Sequence, residues 1–179
     1  VAFGCRVVSI DTNNPGAGAT VIYSTPNYVS ALAVTGSTIY FASEAEVAPD
    51  DYTVQIQKID INNPVPTVVV NNLAEDEEAN DMAFYNNNLM ISVGKLKTVF
   101  GFDITDPVIT VAEYLRNLNN NKGLFVNGNN VFVADAHRIG TKPLNLSAPL
   151  TFVAQNTTYK DPINTTPISF FVANFREVV

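Results

Sequence analysis

Tryptophan is absent from this chain, and cysteine and histidine occur once each. The single thiol, Cys5, rules out an internal disulfide. One His and one Cys cannot supply the three or four ligands of a zinc site. Cys5 lies in the apolar stretch from Val1 to Val8, with only Arg6 near to lower its pKa, so it is expected to be buried and structural. Positive charge is also scarce: ten Lys and Arg stand against seventeen Asp and Glu, for a net charge of −7. The ten are scattered along the sequence and form no basic stripe, which argues against nucleic acid as a partner. No apolar run approaches the roughly 20 residues of a membrane-spanning helix. No signal-peptide pattern and no initiator Met open the chain. Val1 and Val179 both fall inside apolar runs, so the chain reads as processed, trimmed or excerpted.

What is present is enough apolar material for a core, 46% of 179 residues, and an abundance of Asn. Asn clusters at 86–88, at 119–121 and in the Asn127-Gly128-Asn129-Asn130 stretch. Asn tolerates left-handed backbone and caps its own turn, so these clusters punctuate hairpins. Three N-x-S/T triplets, at Asn145, Asn156 and Asn164, are candidate glycosylation sites and fit an extracytoplasmic protein.

A phrase recurs through the chain: an apolar strand, Asp, a few residues, then Pro. It reads Ile10-Asp11-Thr12-Asn13-Asn14-Pro15, Ile59-Asp60-Ile61-Asn62-Asn63-Pro64 and Phe102-Asp103-Ile104-Thr105-Asp106-Pro107, with a decayed copy at Leu144-Asn145-Leu146-Ser147-Ala148-Pro149. By subtraction, Asp11, Asp60, Asp103 and Asn145 stand 49, 43 and 42 residues apart. A repeat of this length is a unit that buries its apolar faces only by stacking on neighbours.

Within one period, 121–156, four short strands rich in Val, Ile and Phe are separated by turns. They are Gly123 to Val126, Val131 to His137, Thr141 to Leu146 and Leu150 to Ala154, with Arg138-Ile139-Gly140 as a loop. Only Val111 to Leu118 and Ala74 to Asp81 could make a helical turn. The fold expected is all-β: a β-propeller of four-stranded antiparallel blades, about four repeat units. The first strands, at 29–34, 81–85, 123–126 and 168–172, would line the axis. The Asp-x-x-Pro phrase would turn between the third and outermost strands.

The pattern Gly123-Leu124-Phe125-Val126-x-Gly128-x-x-Val131-Phe132-Val133-Ala134-Asp135, followed by a strand and the Asp-Ile-x-Asp/Asn-Pro turn, resembles LVIVD repeats. The resemblance spans almost the whole chain in about four units. It departs where the third strand reads Val54-Gln55-Ile56-Gln57-Lys58-Ile59-Asp60 and Thr98-Val99-Phe100-Gly101-Phe102-Asp103. WD40 repeats match less well because there is no Trp. The resemblance implies a bacterial or archaeal secreted or surface protein, hence an extracellular or cell-surface location. It brings no fixed catalytic residues.

The domain expected is a single propeller or propeller fragment over 1–179. Its units run over 28–73, 80–115 and 121–156, with a split blade of 168–179 and 1–25. Either the ends close a four-bladed ring, or the chain is part of a larger propeller. The second is preferred, because a cut inside a strand leaves unpaired edges.

Function is expected on the loops that link blade to blade and second strand to third, at 44–52, 73–81, 94–97, 116–122, 137–140 and 156–167. The candidate ligand-binding residues are Asp50, Asp51, Glu75, Asp76, Glu77, Asp81, Arg116, His137 and Arg138. No cofactor is expected. Ca²⁺ would draw on Glu75, Asp76 and Asp81, although the acidic run lacks EF-hand spacing. The two acidic loops, 44–51 and 75–81, could face each other from a blade away or lie on the same side, and together attract a cation or a basic partner. Asp135 and His137, two apart on one strand, would point to one side.

No G-x-S-x-G and no phosphate-binding glycine loop occurs. The reading is a non-enzymatic module that binds or scaffolds a protein or glycan partner at its loop face. One alternative is a self-assembling structural subunit of a surface layer or filament. The other is a lactonase-like hydrolase with a divalent metal in the central channel, drawing on Asn80, Asp81, Asn121 and His137.

Overall fold

The computed structural model describes residues 2–49, 51–75, 78–136, 138–143 and 149–155. The Asp50, Asp76, Glu77 and His137 candidates, the three glycosylation triplets, the decayed turn at 144–148 and the segment 168–179 lie outside them.

Fifteen strands are described: β1 (Ala2–Phe3), β2 (Arg6–Ile10), β3 (Ala19–Ser24), β4 (Val29–Thr35), β5 (Thr38–Ala48), β6 (Asp51–Asp60), β7 (Asn63–Val70), β8 (Ala79–Tyr85), β9 (Asn88–Val93), β10 (Thr98–Asp103), β11 (Ala112–Leu115), β12 (Asn121–Asn127), β13 (Asn130–Asp135), β14 (Arg138–Pro143) and β15 (Thr151–Gln155). They form three four-stranded antiparallel meanders, β4 to β7, β8 to β11 and β12 to β15, preceded by a three-stranded sheet, β1 to β3. The first strands β4, β8 and β12 pack side by side, so the sheets stack as blades about a common axis. The chain is an all-β propeller.

Local chemistry sets the turns. The inner hairpins of the three full blades begin on a left-handed residue, Gly36 (φ 56°), Asn86 (48°) or Gly128 (55°), and Gly and Asn accept that conformation most readily. The Asp of each recurring phrase closes the same small turn. Asp11, Asp60 and Asp103 each accept the amide two residues on, from Asn13 (2.9 Å), Asn62 (2.8 Å) and Thr105 (2.8 Å). The Asn62 amide, aided by the Ser37 hydroxyl, holds Asp60 below the usual 3.8, and the Thr105 hydroxyl and amide do the same for Asp103.

Two segments that could have been helical are strand or extended: Ala79–Tyr85 is β8 and Ala112–Leu115 is β11. Pairing across the sheet overrides their weak helical preference. Among the described residues, the one helical piece is a 3₁₀ turn at Pro15–Ala17. Arg138-Ile139-Gly140, expected as a loop, begins β14, because the hairpin closes one pair earlier at Asp135↔Arg138. Asp135 thus ends β13. Cys5 is exposed rather than buried. It sits with left-handed Gly4 in the turn between β1 and β2, and its thiol points to the Pro26 carbonyl at 3.6 Å.

Each blade buries a rear face against the blade before it and a forward face against the blade after it. Val7, Ile22 and Tyr23 of the first sheet meet the rear face of the β4–β7 blade at Val29, Leu32, Ile39, Phe41 and Ile59. That blade's forward face, with Tyr40, Ala42, Val54 and Ile56, meets Met82, Leu89, Ile91 and Phe102. Met90, Val99, Tyr114 and Leu115 then meet Leu124, Val131 and Val133. This alternation explains strands apolar on both sides, such as Leu89-Met90-Ile91.

Candidate functional site

One end of the propeller carries the β5–β6, β9–β10 and β13–β14 connections and the links from blade to blade. Three features of the chain converge there: acidic side chains on the first full blade, basic ones on the next two, and exposed aromatics.

The acidic half is built on a ribbon. Strands β5 and β6 stay paired out to Ala48↔Asp51, so the segment expected as a loop over 44–52 is mostly sheet. Residues 73–75 then run along β6, with the Leu73 amide donating to the Val54 carbonyl, the Val54 amide to the Ala74 carbonyl (2.8 Å each), and Thr53 bridging Glu75. The Thr53 hydroxyl, buried, fastens this segment through Asn72 Oδ1 (2.6 Å) and the Ala74 carbonyl (3.0 Å). The two acidic segments therefore meet at one end of the same blade. Glu44 and Glu78 share a side-chain hydrogen bond, and burial, then the Glu78 charge and that bond, push the Glu44 carboxyl up from the usual 4.5. Glu46, Asp51 and Glu75 lie exposed at the same end.

A raised carboxyl pKa in the fold means that ionisation opposes folding. The contribution is most favourable below the ordinary 4.5 and is lost as pH rises through the higher folded value. Glu44→Gln should therefore stabilise the protein at pH 7, by a few tenths of a kcal/mol after solvent screening. The gain should vanish in acid, where Glu44 is already protonated. Thermal melts of both proteins across pH 3–8 check this, and a gain that persists at low pH would refute it.

The basic half shows what scattered sequence positions conceal: Lys95, Lys97, Arg116, Lys122 and Arg138 all fall on this end, contributed by two neighbouring blades. Their spacing along the chain gives no stripe, but the meander returns each to the same edge. The β9–β10 connection docks on the next blade, with the Leu118 amide donating to the Lys97 carbonyl (3.1 Å). Gly94 permits the approach. A Cβ there would land on Asn80 Nδ2 and lie 3.1 Å from the Asn121 carbonyl.

Two arginines meet carboxylates. Arg116 meets Glu113 at 2.7 Å on the surface, and Arg138 meets the fully buried Asp135 at 2.6 Å. Asp135 also accepts the amides of Asn119 (2.6 Å) and Asn120 (2.8 Å), so this carboxylate shapes the link into β12. Lys95, Lys97 and Lys122 are exposed.

The start of every inner strand carries the same irregularity. Val29 and Ala31 pair with Ser43 and Ala42, Ala79 and Asp81 with Val93 and Ser92, and Asn121 and Gly123 with Asp135 and Ala134. One residue is skipped each time: Ser30, Asn80 or Lys122. Such bulges re-aim side chains. Two of the three meet across the blades, Lys122 Nζ lying 3.3 Å from Asn80 Oδ1.

Behind them is a buried latch. Asn121 Nδ2 donates to Ser92 Oγ (2.7 Å) and to the Thr98 carbonyl (3.0 Å). Asn80 Nδ2 and Ser92 Oγ in turn reach the Asn121 carbonyl (2.8 and 3.2 Å).

Asp81 was expected where the 73–81 loop runs into the 81–85 strand. It lies in β8, where its carboxylate accepts the Leu124 amide of the neighbouring inner strand (2.7 Å) and the Met82 amide (2.8 Å). Burial raises its pKa, and those two amides lower it in part. Arg138, likewise in a strand, is turned toward Asp135. Asp51, Glu75 and Arg116 are exposed. Among the described residues, no three His, Cys, Asp or Glu side chains gather as a metal site.

The sequence reading missed the aromatics. Of the described tyrosines only Tyr28 and Tyr52 are exposed, and both lie on this end, as does the exposed Leu96. Tyr28 is fixed by its carbonyl, which accepts the Glu44 amide at 3.0 Å. Their signal was position: Tyr28 directly before an inner strand, Tyr52 at the tip of a hairpin.

No protein-family model matches the chain. No curated protein matches it either. Ninety solved chains do. One belongs to a nidogen/laminin complex, with TM-score 0.70 and 13% identity over 87% of this chain and 60% of that one. Another is a prolyl endopeptidase, with TM-score 0.54 and 13% identity over 76% of this chain and 22% of that one. At these identities the likeness is one of fold. The chain spans about 60% of the length of the first and 22% of the second.

Proposed function

We propose that the chain is a non-enzymatic binding module that engages a protein through its loop face. The observation that carries this reading is the placement of both exposed tyrosines on the end where charge is divided. Tyr gives a large, amphipathic contact at low entropic cost and is enriched at interface hot spots. Opposite charges on adjoining blades orient a partner and speed its approach.

Of the residues the hydrolase alternative draws on, Asn80 donates to the Asn121 carbonyl, Asn121 donates to Ser92 Oγ and Asp81 accepts the Leu124 amide, which favours structural roles for these three; His137 lies outside the described residues. An extracellular or cell-surface setting and an LVIVD-type repeat belong to the same proposal. They are supported by the three equivalent Asp turns and the four-stranded blades. That one solved relative in fold was crystallised in a protein complex is consistent with a protein partner.

The test is a paired capture experiment. Protein from the native extracellular fraction is captured on the immobilised chain and on Tyr28→Ser/Tyr52→Ser. A specific partner should be retained by the first and lost by the second, with affinity falling 30-fold or more, the effect of losing about 2 kcal/mol at a hot spot. Val65→Ser, on the exposed outer strand, should bind normally. Equal capture by all three would reject the loop face. Retention abolished by deglycosylating the captured material would assign a glycan instead.

A further inference from the structure

We propose that the flank of the β4–β7 blade holds a site for a single sugar ring, at the end opposite the loop face. A bulge makes the site. Lys58 of β6 pairs with Thr67 of β7, and Asp60 pairs with Asn63, so the three residues Pro64-Val65-Pro66 stand opposite the single Ile59. Neither proline has an amide hydrogen to draw the outer strand in. The result is a cavity of about 350 Å³, with Thr38, Tyr40, Lys58, Asp60, Val65 and Thr67 in its wall. That volume is at the small end of ligand pockets, suited to one ring rather than a chain.

Register gathers the polar groups on one face. Tyr40, Lys58 and Thr67 lie in one cross-strand row, and Thr38 and Asp60 lie in the next row of the same face. Tyr40 is buried, its ring 5.4 Å from Phe84 of the following blade, so this is the forward face. The next blade closes the equivalent position. There Gly101 stands for Lys58 and Met90 for Tyr40, and a Cβ on Gly101 would lie 2.9 Å from Met90 Sδ.

The donors and acceptors match a ligand dense in hydroxyls. Asp60 accepts the Ser37 hydroxyl and the Asn62 amide (2.8 Å each), and a carboxylate has lone pairs for more. Among the described residues, the side chains of Thr38, Lys58 and Thr67 make no hydrogen bond or ion pair of their own. One ammonium and one carboxylate offset each other, so the cavity suits a neutral occupant better than an ion. A sugar hydroxyl both donates and accepts, so it can serve the carboxylate, the ammonium and the two threonine hydroxyls alike. Val65, 64% exposed, offers C–H surface to the apolar face of the ring.

Amide NMR of the full chain, titrated with the methyl glycosides of glucose, galactose, mannose and N-acetylglucosamine, tests this. At least one glycoside should shift the amides of Thr38, Lys58, Asp60 and Thr67 saturably, with a Kd on the order of 1 mM for so small a ligand. Lys58→Met, which keeps the stem and drops the ammonium, should weaken binding about tenfold or more. Thr67→Val should weaken it several-fold and carries the test if the first variant fails to fold. Tyr28→Ser/Tyr52→Ser should bind the sugar as the wild type does, since the loop face is a separate surface. No saturable shift with any of the glycosides would overturn the inference, as would shifts equal in the wild type and both pocket variants. Glycine shifting the same amides in place of the sugars would also overturn it and assign a zwitterionic ligand.

Discussion

Phe41→Ala should destabilise the protein by about 3–5 kcal/mol, the cost of a large cavity in a closed core. Phe41 is fully buried between the first sheet and the β4–β7 blade, with its ring 5.6 Å from Tyr23. For a chain of this size that is a fall of roughly 10 °C in melting temperature, at about 2–4 °C per kcal/mol. The location of the damage is as informative as its size. Each blade touches only its neighbours, so stability is a sum of blade and interface contributions. Hydrogen exchange should accelerate in β1 to β3, whose main packing partner is the damaged face. β8 to β14 should keep most of their protection. Equal loss of protection in every blade would refute the nearest-neighbour picture.

Asn121→Leu should cost about 2–4 kcal/mol, although Leu branches at the same carbon. The side chain lies wholly inside the joint between two blades and donates to Ser92 Oγ and the Thr98 carbonyl. Leucine supplies neither hydrogen bond and leaves the Thr98 carbonyl without this donor in a dry site. Ser92→Ala should cost less, because Asn121 would still hold Thr98. The two substitutions together should cost less than their sum, since they remove the same bond. Denaturant melts measure all three. A lower midpoint with an unchanged slope is the expected signature. A cost below about 1 kcal/mol for Asn121→Leu would show that the latch contributes little to the joint.

The fold could be read from the chain because its determinants are local and repeated. Asp11, Asp60 and Asp103 each bind an amide two residues away, and Gly36, Asn86 and Gly128 each open a hairpin. Such signals survive in any window a few residues long. The site was legible only in part. The acidic segments around Glu44 and Glu78 were expected on one face, but whether they would lie a blade apart or side by side was open until the pairing of 73–75 with β6 placed them together.

The loops 94–97, 116–122 and 137–140 were expected on this end too; the gathering of Lys95, Arg116, Lys122 and Arg138 into a basic half was not, because charges scattered along the chain form no stripe until strands return on themselves. Asp81 looked like part of an acidic run, yet strand pairing carries it into the inner wall, where a backbone amide from 43 residues on becomes its partner. Cys5 looked buried by the company of its neighbours in sequence. A turn at Gly4, invisible to hydropathy, rotates it outward. Tyr28 and Tyr52 were passed over because one aromatic in a β-rich chain is ordinarily core.

The skipped residue at the start of each inner strand separates two kinds of constraint. Ser30, Asn80 and Lys122 take no place in the cross-strand ladder, while the residues on either side keep theirs. A serine, an amide and an ammonium already occupy this position in three successive blades. The chemistry at the mouth of the axis can therefore vary without disturbing the register beneath it, freely at Ser30 and as a coupled pair at Asn80 and Lys122, which bond across their blades.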